Sequence, residues 1–236
     1  MTARRILRLV GVALASALLL GSAGAQAAAE AAAPARSKPA ARTAKGASAH
    51  AASATPTVDP AAAYAPRFAS LCAACHGANG RSDMAGTPVL AGQHGFYAVT
   101  QLFLFREGRR ANEAMTAVAK TLTDDDLRGY SAAIDALPPV PAPVAATAAD
   151  PARMARGREL AREHKCVFCH GDDLSGGQQV PRIGGQHEDY LRDSLRGFKS
   201  GKRPGYTQAM TAALSQVPVD DLDTLAYYAA RLAPAR

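Results

Sequence analysis

The sequence predicts an all-α protein made of two small helical domains that are repeats of each other. Apolar residues recur at helical spacing, and no segment shows the alternation of apolar and polar residues that is typical of strands. The segment CAACHG that starts at Cys72 returns as CVFCHG from Cys166, and PVLAGQH from Pro88 returns as PRIGGQH from Pro181. A duplicated unit predicts two domains with the same topology.

Residues 1–25 predict a secretory signal peptide. Arginines precede the apolar run Leu9–Leu20, and small residues then end in an A-x-A site at Ala23 and Ala25. We therefore expect export to the periplasm, with cleavage before Gln26. An uncleaved membrane anchor is the alternative, although the apolar run is shorter than the roughly 20 residues that a transmembrane helix prefers.

Residues 26–63 predict a disordered, Ala/Pro-rich tether. Val58 is the one bulky aliphatic residue in this segment, so the segment cannot bury enough apolar surface to fold alone. The leader and the tether carry most of the formal net charge of +7, because acidic and basic groups nearly balance in residues 64–236. The basic composition therefore does not predict a surface that binds nucleic acid.

The remaining chain predicts two domains, at residues 64–139 and 150–236, joined by a linker at residues 140–149. Each domain has about 80 residues, no tryptophan, few large aliphatic residues and many alanines. Such a chain has too little apolar volume for a substantial core. Something other than side chains is needed in the middle of each domain.

Several helix boundaries carry local signals. Thr123 predicts an N-cap, since acidic residues follow it in the first turn. Asp150 followed by Pro151 predicts the start of the helix that leads to the second cysteine pair. Gly201 is placed to end a helix, and Pro66 is expected to interrupt the first helix of the first domain.

Both cysteine pairs have the form C-x-x-C-H, which is the attachment signature of c-type haem. The four cysteines are Cys72, Cys75, Cys166 and Cys169, and the histidines that follow the pairs are His76 and His170. In this signature the thiols bond to the porphyrin and the histidine binds iron from one side. Two covalently bound haem c groups are therefore predicted, and each supplies the apolar body that its domain lacks.

Other uses of paired cysteines fit less well. A zinc ribbon needs its pairs about 15 to 20 residues apart, whereas these pairs are 94 residues apart. A disulfide within each pair, or a thioredoxin-type redox pair, explains neither the histidine after each pair nor the absence of a βαβ pattern.

The sixth iron ligand separates an electron carrier from an enzyme. A methionine closes the iron site and raises its reduction potential, whereas an open position suits O₂ or peroxide chemistry. Met115 and Met210 are the one methionine pair that the repeat matches, so we predict that they are the distal ligands, with core packing as the alternative. His94 and His187 also match, but surface or capping positions are expected for them, with bis-histidine ligation as the alternative.

The order of these motifs resembles the dihaem cytochrome c4 family. Both halves contain C-x-x-C-H-G, then PVLAGQ or PRIGGQ, a tyrosine-bearing helix, Phe-x-x-Gly-x-Arg, a late methionine and a terminal helix with acidic residues at its start. The resemblance covers residues 64–236. It implies two small class I cytochrome c domains, each wrapped around its haem and facing the other, in a monomeric protein of the periplasm.

The resemblance also implies roles for individual residues. The four cysteines form thioethers, the two motif histidines are proximal ligands, and the two repeat-matched methionines are distal ligands. Pro88 and Pro181 match the proline whose carbonyl accepts a hydrogen bond from the proximal imidazole. The basic residues after the helix-ending glycines either pair with haem propionates or only favour a helix C-terminus; they are Arg109, Arg110, Lys202 and Arg203.

The predicted function is transport of single electrons between redox proteins of a respiratory chain, from a quinol-oxidising complex or a dehydrogenase to a terminal oxidase or reductase. The protein is not predicted to be an enzyme or to bind nucleic acid, and the tether or an uncleaved leader offers a route to membrane association. Two alternatives stay open. One is a fixed cytochrome subunit of a dehydrogenase or oxidase complex; the other is a dihaem peroxidase, against which the matched Met115 and Met210 argue.

Overall fold

The computed structural model describes residues 59–143, 148–205 and 207–233. Within these ranges the chain forms ten α-helices and no β-strand, so the predicted all-α class is confirmed. The predicted signal peptide and nearly all of the predicted tether lie outside the described residues. None of the helices in the described ranges has the length and apolar character needed to cross a bilayer.

The ten helices form two sets of five in the same order. The first set is α1 (Pro60–Leu71), α2 (Ala73–His76), α3 (Gly95–Arg106), α4 (Glu113–Ala119) and α5 (Asp124–Ala136). The second set is α6 (Pro151–Glu163), α7 (Cys166–His170), α8 (Glu188–Lys199), α9 (Ala209–Leu214) and α10 (Val219–Ala230). The duplication of the sequence is therefore a duplication of helix order.

In each half, the first and the middle helix both pack against the last one. Helices α1 and α3 contact α5, and helices α6 and α8 contact α10. The first core includes Phe68, Leu127 and Ile134, and Cys72 packs against it. The second core includes Leu160, Leu222 and Ala226, and Cys166 packs against it. The two cysteine pairs therefore belong to separate cores.

Glycines permit the close crossing of the first and last helices. A methyl group at Gly129 of α5 would overlap the ring of Tyr64 on α1, and a methyl group at Gly157 of α6 would overlap Tyr228 on α10. Each crossing therefore depends on a residue without a side chain at the point of contact.

Helix α1 begins at Pro60, four residues before the predicted start of the first domain. The Asp59 carboxylate accepts a hydrogen bond from the first turn, which is the same Asp-Pro start that the sequence shows before α6. The expectation that Pro66 interrupts this helix is wrong, because α1 continues through it to Leu71. Packing of the helix, including Phe68, against α5 offsets the hydrogen bond that the proline cannot donate.

The start of α5 is fixed as predicted, with Thr123 as its N-cap. The Thr123 hydroxyl accepts from the backbone N–H of Asp126 at 3.2 Å, and the Asp126 carboxylate accepts from the backbone N–H of Thr123 at 2.9 Å. The two residues thus form a reciprocal capping box.

The first residues of the predicted linker are packed against the domains. Ala142 is buried with Val89 and Ala91 of the first half, and its backbone N–H donates to the carbonyl of Gly185 in the second half at 2.8 Å. The described residues of both halves belong to one compact unit. The connection therefore forms part of the contact between the halves.

Candidate functional site

Each C-x-x-C-H motif is built around one short helix, α2 or α7, that comes soon after the first helix of its half; Cys72 is the cap residue between α1 and α2, and Cys166 begins α7. All four cysteines of the sequence lie within the described residues, and none forms a disulfide; in each pair the first is half-buried and the second is exposed. The glycine after each motif, Gly77 or Gly171, has a φ of 76° or 81°. A residue with a Cβ disfavours this conformation, which explains why the repeated motif extends to C-x-x-C-H-G.

Both motif histidines are buried and share the same partner. His76 is 6% exposed and His170 is 5% exposed. Their Nδ1 atoms lie 2.9 Å and 3.0 Å from the carbonyl oxygens of Pro88 and Pro181. A carbonyl can only accept, so Nδ1 carries the proton and Nε2 keeps its lone pair. The hydrogen bond that the resemblance implied is therefore present in both halves.

The environment keeps both imidazoles neutral. Burial lowers the pKa of His76 and His170, and the hydrogen bond to the proline carbonyl opposes this effect only in part. A neutral ring with an unprotonated Nε2 and a hydrogen-bonded Nδ1 is the form in which histidine binds a metal. Each half therefore offers one oriented nitrogen ligand.

Burial disfavours the thiolate form of the first cysteine in each pair. Burial raises the pKa of Cys72 to about 11 and also raises the pKa of Cys166. Redox-active and zinc-binding cysteines are thiolates near neutral pH, which requires a lowered pKa. Across the described ranges, no three His, Cys, Asp or Glu side chains come together as a metal site. The residues present therefore fit a covalently attached haem in each half.

The two repeat-matched methionines occupy equivalent helices. Met115 is on α4 and Met210 is on α9, and both side chains are partly buried. Asn112 caps α4 and accepts from the backbone N–H of Met115 at 2.8 Å, while Met210 packs against the second core. Met84, which has no matched methionine, is 50% exposed. Distal ligation by the matched pair stays a prediction.

His94 and His187 bridge the two halves. They occupy the N-cap positions of α3 and α8, yet neither side chain caps its helix. The Nε2 atom of His94 lies 2.9 Å from the carbonyl oxygen of Ser175, and the Nε2 atom of His187 lies 3.0 Å from that of Ser82. The expected surface or capping role is therefore wrong for both, and these contacts also disfavour bis-histidine ligation.

Two glutamines form a second reciprocal contact between the halves. Gln93 accepts from the backbone N–H of Arg182 at 2.9 Å and donates to its carbonyl at 3.0 Å. Gln186 binds the backbone of Val89 in the same way, at 2.7 and 3.0 Å. The repeated GQH segment is thus an interface motif, a role that the sequence analysis missed.

Two repeat-related arginines meet at one tyrosine between the halves. Arg110 and Arg203 donate to the hydroxyl of Tyr190 at 2.8 and 3.1 Å. Burial disfavours ionisation of Tyr190, but the two guanidinium groups outweigh burial and lower its pKa to about 7. Arg109 and Lys202, the other two basic candidates, are exposed.

This cluster is suited to binding acidic groups. Neither Arg110 nor Arg203 forms an ion pair with a carboxylate among the described residues. The two guanidinium groups share the Tyr190 hydroxyl and have no carboxylate partner there, so the cluster carries an excess of positive charge. Guanidinium groups bind carboxylates well. Arg110 and Arg203 are the two partly buried members of the four basic candidates, and propionate binding by them stays a prediction.

Comparisons with known proteins agree with this geometry. The sequence model of the cytochrome c family matches residues 61–130 and 154–228, one match in each half. Cytochrome c4 of Thiocapsa roseopersicina is 37% identical over 164 residues, which cover 65% of this chain and 82% of that protein. A thiosulfate dehydrogenase electron acceptor of Thiomonas intermedia is 36% identical over 150 residues, which cover 61% of this chain and 69% of that protein. The crystal structure of reduced cytochrome c4 from Pseudomonas stutzeri aligns with a TM-score of 0.64 and 29% identity, over 73% of this chain and 98% of that chain.

Proposed function

Because the chain belongs to the cytochrome c family, and within it to the dihaem cytochrome c4 group with two covalently bound haem c groups, we propose that it carries single electrons between redox proteins of a respiratory chain in the periplasm. One observation carries the proposal: the same buried, neutral histidine with the same proline partner occurs in both halves. Two equivalent, oriented iron ligands support two electron-transfer centres rather than one catalytic and one accessory centre.

The residues of each half have separate tasks in this proposal. Cys72 and Cys75, like their matched pair in the second half, attach the haem. His76 and His170 bind iron, and the proline carbonyls fix the tautomer and orientation of their rings. When bound, the haem supplies reversible one-electron chemistry at its iron.

The proposed distal ligands support a carrier over a peroxidase. Met115 and Met210 would close the sixth position of both irons, which leaves no open coordination site for a substrate. Their equivalent places on α4 and α9 support the same ligation in both halves. A peroxidase would need one half in which this position is vacant or easily vacated.

The interface holds the two proposed centres in a fixed relation. Hydrogen bonds from Gln93, Gln186, His94 and His187 join the halves directly. A fixed relation between the halves keeps the distance between the haems constant, so an electron that enters one half can leave from the other.

The similarity to an electron acceptor of thiosulfate dehydrogenase favours a narrower second candidate. In this version a thiosulfate dehydrogenase supplies the electrons, in place of a quinol-oxidising complex. The same relative also fits in part the alternative of a cytochrome subunit that serves one dehydrogenase.

The test uses the full chain, exported and matured in a bacterial periplasm. Haem staining and an iron assay should give two haems for each chain, and the oxidised protein should show the far-red band of methionine-ligated haem at an intensity that corresponds to both. Rapid mixing of the oxidised protein with a quinol-oxidising membrane fraction or with thiosulfate dehydrogenase then identifies the donor. A reduced parent protein that binds carbon monoxide would contradict the closed sites, and a colourless folded protein would contradict the proposal as a whole.

A further inference from the structure

The two halves differ in charge at one buried position of their shared interface. Arg182 stands where the repeat places Val89 in the first half, one residue after the proline that binds the motif histidine. The backbones of these two residues are held in the same way by the two glutamines. Arg182 is 2% exposed and Val89 is 1% exposed. The interface thus buries a charged side chain on one side and an aliphatic one on the other.

The guanidinium of Arg182 binds backbone carbonyls from three segments. It donates to Gly184 of the second half and to Ala91 of the first half, each at 2.6 Å, and to Val140 of the connecting segment at 3.4 Å. Its Nε atom has no partner among the described residues. No carboxylate in the described ranges forms an ion pair with it.

This side chain keeps its positive charge at physiological pH. Burial lowers the pKa of Arg182 to about 10, which is still far above neutrality. Carbonyl dipoles satisfy most of its donors, but they do not cancel its net charge. A permanent cation therefore lies in a low-dielectric region, where salt screens it poorly.

The position of this cation links it to both iron ligands. Pro181, whose carbonyl accepts the hydrogen bond from His170, is the residue directly before Arg182. Ala91, which the guanidinium contacts, lies three residues after Pro88, which binds His76. A positive charge at this place disfavours the additional positive charge of an oxidised iron in either half.

We propose that Arg182 tunes the reduction potentials of the two haems. Its buried positive charge raises both potentials and so favours the reduced form of the protein. The proposal rests on the proposed ligation of iron by His76 and His170. Removal of Arg182 would lower the reduction potentials even if a haem propionate reached the guanidinium. The propionate would then be left unpaired, and its negative charge would favour the oxidised iron.

The decisive variant is Arg182→Met, with Arg158→Met as its matched control. Both changes remove one guanidinium, but Arg158 is exposed on α6. For Arg182→Met we expect the reduction equilibrium of the haem nearer the charge to weaken by roughly three- to tenfold, as for a charge acting through an effective dielectric of about 20. A tenfold change corresponds to about 59 mV for one electron. Spectroelectrochemical titration measures both potentials, and the shift should persist at high salt.

Arg182→Lys separates the charge from the hydrogen bonds. A lysine keeps the charge but loses the planar fork that binds three carbonyls, so we expect a lower free energy of unfolding with potentials close to those of the parent. If Arg182→Met does not fold, Arg182→Gln serves as the uncharged variant, since its amide still donates to the carbonyls.

The outcomes separate the two proposals. Potentials of Arg182→Met or Arg182→Gln that match those of Arg158→Met, with both haems still six-coordinate, overturn the role of the charge. Potentials of Arg182→Lys that fall as far as those of the uncharged variant overturn it as well. A parent protein without two histidine-ligated haems instead refutes the proposed ligation.

Discussion

Asp126 offers a quantitative test of how the first half is held together. Its carboxylate accepts from the backbone N–H and the hydroxyl of Thr123 at 2.9 and 2.8 Å, accepts from the hydroxyl of Tyr64 at 3.0 Å and forms an ion pair with Arg67 at 2.7 Å. The hydrogen bonds from Thr123 and Tyr64, together with Arg67, lower the pKa of Asp126 from 3.8 to about 2, although burial opposes them. The carboxylate therefore stabilises the fold in its ionised form.

The expected cost of Asp126→Asn follows from this pKa. A shift of one unit corresponds to about 1.4 kcal/mol, and solvent screening at the exposed Arg67 reduces the contribution of the ion pair, so that we expect a loss of about 1 to 2 kcal/mol at neutral pH.

The pH dependence has a definite sign. The pKa of Asp126 is lower in the folded protein than in the unfolded chain, so its contribution is complete above the unfolded value near 4 and is lost as the pH falls towards about 2. The parent should therefore be more stable than Asp126→Asn at neutral pH, and the difference should vanish between about pH 4 and pH 2.

Denaturant unfolding of the mature protein, followed by circular dichroism across this pH range, measures the difference. Asp125→Asn is the matched control, because Asp125 lies in the same helical turn but is exposed and pairs only with the exposed Arg128. A difference between the parent and Asp126→Asn that stays constant down to pH 2 would refute the assignment to this carboxylate, as would an equal loss in the control.

Three further changes test other parts of the molecule. Met210→Ala should let the reduced second haem bind carbon monoxide and should lower its reduction potential; an unchanged spectrum and potential would exclude Met210 as a ligand. Gly129→Ala should lower the free energy of unfolding by about 1 to 3 kcal/mol, because the methyl group overlaps the Tyr64 ring; a stabilised protein, as helix propensity alone predicts, would show that the crossing can relax. Gln93→Ala should perturb the haem signals of the second half more than those of the first, and Gln186→Ala should do the reverse; equal effects of both changes on both haems would contradict the crossed contacts.

The sequence predicted those features that depend on local patterns. The repeat gave the two equivalent helix sets, the C-x-x-C-H motifs marked α2 and α7, and Thr123 and Asp150 were read correctly as N-caps. The start of α1 was missed because the domain boundary was placed by composition, although Asp59 followed by Pro60 is the same local signal. Pro66 was misjudged because a local rule does not include the packing of α1 against α5.

The interface could not be read from the sequence, because its partners are distant in the chain. Gln93 and His94 bind backbone groups of Arg182 and Ser175, and no side-chain pattern marks a backbone acceptor. The burial of Arg182 depends on the same docking. A repeated polar segment such as GQH shows that a role is shared by both halves, but only the docked structure shows that this role is to bind the other half.

The duplication joins ligand orientation to domain docking. In each half a proline carbonyl fixes the ring of the motif histidine, and the residue after that proline is held through its backbone by a glutamine of the opposite half. Gln93 thus supports the segment that orients His170, while Gln186 supports the segment that orients His76. A rigid proximal ligand limits the rearrangement that accompanies a change of iron charge. The segment that orients each proximal ligand is therefore also a docking segment, which gives a two-haem protein a structural reason to keep both halves in one chain.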